Sequence, residues 1–243
     1  MRSVKGWFTT TRKAARKRKL GCAGVFMLVF YEQRLVILAT PKTGSTALAA
    51  ALESLAQVSI QRPPVLKHTN VHRYHRFVGP YLAAASGHPF TVVALMREPR
   101  DWLGSWYRYR QRDDIAERAK QTKAMSFDDF VSAWCADPRP EFASFGSQAR
   151  FLAPSNGTRV DHLFRYEAIK GFVDFLEDRL NCEIVLPRLN VSPLAALDLS
   201  PATEAKLKRV AEADYALYDA LLAARDQPYC ALSPHRLATV MPD

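Results

Sequence analysis

The chain has 243 residues, 48% of them apolar and 24% charged, the make-up of a soluble globular protein with room for one domain and a sizeable core. Its formal charge is +10, but residues 1–20 hold eight basic groups and no acid, so the rest, with 26 basic against 24 acidic groups, is nearly neutral. The charge therefore makes no case for a nucleic-acid partner, and no stretch reaches the roughly eighteen apolar residues of a membrane span.

The basic tail (1–20) has no apolar periodicity and is expected to be a solvated, disordered arm; weak attraction to an acidic membrane surface is its alternative role. A single domain is expected over 21–243. Val25 to Phe30 follows basic residues as a signal peptide's apolar stretch would. It soon meets Glu32 and Arg34, with no small-residue cleavage site, and reads as a core strand of a cytoplasmic protein. Residues 22–31 and 35–40 are two β-rich runs separated by Glu32-Gln33-Arg34, as in a hairpin or tight turn. The segment Pro41-Lys42-Thr43-Gly44-Ser45-Thr46 follows. It leads into Ala47 to Ala56, where Leu48, Leu52 and Leu55 recur at helical spacing, with Ser45 or Thr46 placed to cap the helix.

Pro63-Pro64 marks a loop, and Lys67-His68 is expected at a strand end. Phe90 to Met96 is a fully buried strand ending at Arg97, followed by an aromatic-rich helix over about 100–120. Residues 127–135 read as helical, 136–147 as a connection, 160–166 as a short strand and 168–180 as a helix. Pro201 to Ala224 reads as one last helix. Strands alternating with helices predict an α/β fold, a parallel sheet with helices on both faces. Cys22, Cys135, Cys182 and Cys230 are too dispersed for a zinc clip or a CxxC pair, so free thiols in a reducing compartment are expected.

A strand, a loop with Gly44 and a helix place backbone N–H groups at a helix N-terminus, where they and the dipole favour an anion. Lys42 adds a charge, and Thr43, Ser45 and Thr46 add hydroxyl donors; the bland alternative is a helix cap with a surface lysine. The ATP-binding pattern GxxxxGK[ST] carries its lysine after the last glycine. Here lysine precedes the only glycine, which argues against a triphosphate. A second element is "REPRDWLGSWY" at 97–107. Arg97 at a strand end and Ser105 on the next helix suit a second phosphate, and parallel strands end on one edge. Two separated anion sites suggest one ligand with two anionic groups.

These two motifs resemble those of the sulfotransferase superfamily, enzymes that use 3'-phosphoadenosine 5'-phosphosulfate (PAPS). The form PKTGST is closer to the carbohydrate-type and bacterial members. "LKH" at 66–68, "SQARFL" at 147–152, "FRYEAI" at 164–169 and "LPRLNVSP" at 186–193 are also similar, so the likeness runs over about 25–222. The resemblance implies a P-loop-like three-layer fold with a central parallel sheet. It implies PAPS as co-substrate without a metal, and in-line transfer of a sulfuryl group to a hydroxyl or amine acceptor. Lys42, Thr43, Gly44, Ser45 and Thr46 would bind the 5'-phosphosulfate, with Lys42 also neutralising the bridging oxygen. Arg97 and Ser105 would bind the 3'-phosphate, and Arg188 and Asn190 would approach the nucleotide.

The acceptor's proton needs a base, and histidine titrates near neutrality. Of His68, His72, His75, His88, His162 and His235, the resemblance favours one between the two phosphate motifs, and His68 is preferred. His72 competes with it, and His75 and Arg76 line the acceptor pocket or face water. Glu53 is the only acid on the helix after the loop and ranks below; Glu167 is expected to order the pocket. Arg100, Trp102, Trp106, Tyr107, Arg108, Tyr109, Arg110 and Arg112 form a basic, aromatic helix suited to an anionic or glycan acceptor, or else a core face backed by a solvated one. A small-molecule kinase using ATP and magnesium and a non-catalytic anion-binding protein remain the rival readings.

Overall fold

The computed structural model describes residues 27–112, 115, 121–187, 195–224 and 231–232. The basic tail, Cys22, Cys230, His235, Arg188 and Asn190 lie outside the described residues.

Among the described residues, six strands form one sheet: β1 (Met27–Phe30), β2 (Leu35–Leu38), β3 (Val58–Ile60), β4 (Thr91–Met96), β5 (His162–Arg165) and β6 (Ala231–Leu232), in the order β3-β1-β2-β4-β5-β6. The sheet is mixed, which corrects the expected parallel one. β2, β4 and β5 run parallel, with Leu38 opposite Ala94 and Met96 opposite Arg165. β1 is antiparallel to both β2 and β3, and β6 is antiparallel to β5. The reason is local. Only residues 31–34 join β1 to β2, and so short a link can connect only antiparallel neighbours. Arg34 closes that turn with φ 49° and donates its N–H to the Tyr31 carbonyl at 3.1 Å.

The helices in chain order are α1 (Ser45–Leu52), α2 (Pro64–Lys67), α3 (Val71–Arg73), α4 (Gly79–Ser86), α5 (Pro99–Arg110), α6 (Phe127–Trp134), α7 (Gln148–Leu152), α8 (Ile169–Leu180), α9 (Pro201–Val210) and α10 (Glu212–Ala223), with a π-turn over Tyr74–Val78. Strand alternation divides the core. Met27, Val29, Val36, Leu38, Val92, Ala94 and Leu163 pack with α4, α7 and α10, whereas Leu28, Phe30, Leu35, Ile37, Val93, Leu95 and Phe164 pack with α1 and α8. Helices therefore cover both faces of the sheet. A third apolar cluster, built on Trp102, Leu103, Tyr107, Phe130 and Trp134, joins α5, α6 and α9. Among the described residues, no helix is long and apolar enough to cross a membrane.

Two helices differ from expectation, each for a visible reason. α5 stops at Arg110 because the chain folds back onto its end. Thr122 donates its N–H to the Arg110 carbonyl at 3.3 Å and its hydroxyl to the Tyr107 carbonyl at 3.2 Å. The last helix breaks at Ala211 (φ −102°, ψ 22°). The break lets Leu207 and Ala211 enter the cluster with α5 and α6 while Leu217 and Leu221 enter the sheet core. One straight helix would present a single stripe and could not serve both.

Candidate functional site

The site lies where β2, β4 and β5 end on one edge of the sheet. β2 leads into the loop 41–46, its neighbour β4 into Arg97, and β5 into Tyr166 and Glu167. Adjacent strands lie about 4.8 Å apart, so residues far apart in sequence emerge side by side. Arg97 donates from Nη1 to the Lys42 carbonyl at 3.3 Å, directly joining the loop 41–46 to the segment that follows β4.

The loop is held from several sides. Trp102 Nε1 donates to the Pro41 carbonyl at 2.9 Å, and the Thr43 hydroxyl to the Thr40 carbonyl at 2.9 Å. Thr43 is buried, and Ser45 is 8% exposed. Lys42 has φ 67° and Gly44 φ 75°. For lysine the left-handed region costs on the order of 1 kcal/mol and persists only where the surroundings impose it. Gly44, not Ser45 or Thr46, is the N-cap of α1, and no side chain caps the helix. That corrects the expected cap. The first-turn N–H groups are thus not taken up by a capping side chain, which suits an incoming anion.

Gly44 also lies under an aromatic ring. A methyl group on its Cα would come within 2.8 Å of Tyr166 Cε2. Gly44→Ala should therefore destabilise by about 1–2 kcal/mol through φ alone, with more from the displaced ring. Denaturant titration measures the loss, and an unchanged midpoint would mean that the loop relaxes freely.

Lys42 Nζ lies 4.2 Å from the centroid of Tyr109 and 5.7 Å from that of Trp106. Burial, and then the charges of Arg97, Arg112, Arg108 and Arg110, push its pKa from 10.5 down to about 7. Trp106 stacks on Phe145 at 4.5 Å, while Trp102 and Tyr107 are buried in the third cluster. The basic, aromatic helix is therefore divided: Trp102 and Tyr107 are core, and Trp106 and Tyr109 form a wall for Lys42.

Arg97 is braced as well. Its Nε donates to Asp101 Oδ2 at 2.6 Å, and its guanidinium lies 4.6 Å over the Tyr166 ring. Asp101 also pairs with Arg108 at 3.4 Å. Ser105 is 8% exposed and shares a helix face with Asp101 and Arg108, at i+4 and i−3 from them. It therefore lies one turn along the face that Arg97 meets.

His68 is at the C-cap of α2, not at a strand end, because Pro63 and Pro64 start a short helix there. It still reaches the sheet edge. Its Nδ1 is 2.8 Å from the Ala39 carbonyl. A carbonyl only accepts, so Nδ1 carries the hydrogen and Nε2 holds the free lone pair of the neutral ring. Burial lowers its pKa below 6.5, partly offset by that bond and reinforced by Lys67. His72 and His75 instead brace a neighbouring loop: Asn156 Nδ2 donates to His72 Nδ1 at 2.6 Å, and His75 Nε2 donates to the Arg159 carbonyl at 3.0 Å. Glu53 follows α1 and is hydrogen-bonded to the Gln61 amide; eight residues of helix set it about 12 Å from the loop.

Three residues not singled out from sequence complete the geometry. Tyr166 touches both Gly44 and Arg97. Gln148, 1% exposed, accepts the Arg97 N–H on Oε1 at 3.0 Å and donates from Nε2 to the Arg97 carbonyl at 2.7 Å. Asp214, also 1% exposed, accepts the N–H groups of Ala149 at 2.6 Å and Gln148 at 3.3 Å. Burial pushes the Asp214 pKa up to about 6 against those bonds. A signal for Asp214 was present: an acid three and seven residues before Leu217 and Leu221, on the helix's apolar side. Glu167 is a brace, accepting the Glu98 N–H and the Tyr218 hydroxyl, each at 2.8 Å.

No family model matches this chain, and no curated protein or solved structure matches it.

Proposed function

We propose that this chain is a PAPS-dependent sulfotransferase of P-loop-like architecture, acting on a hydroxyl or amine acceptor. The observation that carries the reading is the contact between Arg97 Nη1 and the Lys42 carbonyl. It brings side by side two segments 55 residues apart, each read as one prong of an anion site. In the proposed reaction the bond between sulfur and the bridging phosphate oxygen breaks as the acceptor oxygen or nitrogen bonds to sulfur. The acceptor's proton passes to His68 Nε2, and Lys42 neutralises the departing 5'-phosphate. Gly44, Ser45 and Thr46 cradle the 5' end, joined by Thr43 through its backbone N–H alone because its buried hydroxyl is spent on the Thr40 carbonyl, and Arg97 with Ser105 holds the 3'-phosphate. Trp106 and Tyr109 give the acceptor side an aromatic wall that suits a sugar or small phenol. The unpaired Cys135 and Cys182 fit a reducing, cytoplasmic setting.

A thermal-shift panel tests the reading. Adenosine 3',5'-bisphosphate at about 100 times its dissociation constant should raise the melting temperature by about 5–10 °C. ATP with magnesium should not. The reverse pattern would overturn the proposal in favour of a kinase, and no response to either would remove the nucleotide.

A further inference from the structure

We propose that Gln148 is the positioning residue for Arg97, and that its hold, set from α10 through Asp214, gives the site its preference for a nucleotide carrying a 3'-phosphate. The inference rests on the function proposed above.

Arg97 is the first residue beyond β4, where ladder hydrogen bonding ends. An amide group there would ordinarily turn to water. Instead the Gln148 side chain satisfies both backbone groups of Arg97, as a neighbouring strand would. The next N–H, that of Glu98, is taken by Glu167. The backbone from which the guanidinium projects is thus held at two consecutive residues by side chains from elsewhere in the fold.

Both holders are tied to α10. Asp214 fixes the first two N–H groups of α7 and so the origin of the Gln148 side chain. Tyr218, one turn further along α10, donates to Glu167. With its backbone held, the Arg97 side chain has only to choose a rotamer, and Asp101 and Tyr166 choose it. Gln148 is too buried to meet a ligand itself. Its role is to place Arg97, which makes it a positioning residue.

The test compares two probes, adenosine 3',5'-bisphosphate and adenosine 5'-monophosphate, on the full chain by calorimetry. In the parent protein the bisphosphate should bind at least about tenfold tighter, as one charge-assisted contact allows. If it does not, the sulfotransferase reading of Arg97 fails, whatever Gln148 does. If it does, Gln148→Met, similar in size but unable to hold the Arg97 backbone, should lose most of that preference. Its affinity for the monophosphate should stay within about twofold, because the bonds from Trp102 to Pro41 and from Thr43 to Thr40 still hold the 5' loop when the Arg97 contact loosens. Gln148→Glu, which keeps an acceptor for the Arg97 N–H but not the donor, should fall between the two and serves if the methionine variant does not fold. A merely structural role would lower the melting temperature and leave the ratio of affinities unchanged. That result overturns the positioning role while the proposed function stands.

Discussion

Replacing Lys42 with methionine should leave a folded protein at least as stable as the parent near neutral pH, yet deaf to anionic nucleotides. Lys42 is a cation held by burial among Arg97, Arg108, Arg110 and Arg112, in left-handed backbone. Its contacts with Tyr109 and Trp106 contribute about 0.5–1 kcal/mol, which a methionine sulfur against the same rings partly replaces. The repulsion disappears altogether. The sign of the pH dependence follows. Between about 7 and 10.5 the unfolded chain holds a proton on Lys42 that the folded chain has released. Parent stability should therefore rise with pH through that window, and the methionine variant should lack this component of the slope. An anion in the loop acts the other way by restoring the ammonium. Above pH 7, binding of the bisphosphate should take up close to one proton, seen as a dependence of calorimetric heat on buffer ionisation enthalpy. Affinity should weaken by up to about tenfold per pH unit there. A methionine variant that still binds, or binding without proton uptake, would show that Lys42 does not face the ligand. Lys42→Ala should lose binding and rate together.

Such a site was legible in part because its strongest cues are local. An apolar run that stops at Pro41 and resumes as an alanine-rich helix marks a strand, a loop and a helix within about twenty residues, and β4 followed by Arg97 repeats the signature. The side-by-side ending of these strands followed from parallel pairing of β2, β4 and β5, although the outer strands reverse direction at the short turn 31–34. The supports of the site were harder to read because they act at long range. Gln148 reaches Arg97 across 51 residues, and Asp214 reaches Gln148 across 66. Tyr166 explains Gly44 only once β5 lies near β2. Sequence pattern reports which face of an element is buried, not which partner it meets. His68 shows the same limit. Its contact with Ala39 suits a base at the sheet edge, but it is delivered by a proline-led helix and not by a strand.

In the proposed reaction, His68→Asn should cut the rate of sulfuryl transfer by roughly 10²–10⁴ while leaving affinity for the bisphosphate within about twofold. Asparagine can present an N–H toward the Ala39 carbonyl and so preserve the packing, but it has no lone pair basic enough to take the acceptor's proton. His68→Ala should lose the rate too, with added instability from an unpaired carbonyl. The pH profile separates this residue from Lys42. Because burial holds the His68 pKa below 6.5, the rising limb of kcat/KM should lie under that value. The falling limb should lie near 7, where free Lys42 loses its proton. The optimum therefore lies between a base that must be neutral and a cation that must stay charged. His72→Asn and His75→Asn should loosen the loop 156–159 and alter stability more than rate, since both rings already have partners there. The measurement is release of adenosine 3',5'-bisphosphate from PAPS with sugars and phenols as acceptors. Near-parent turnover in His68→Asn, with the loss in His72→Asn instead, would move the base one helical turn along the chain.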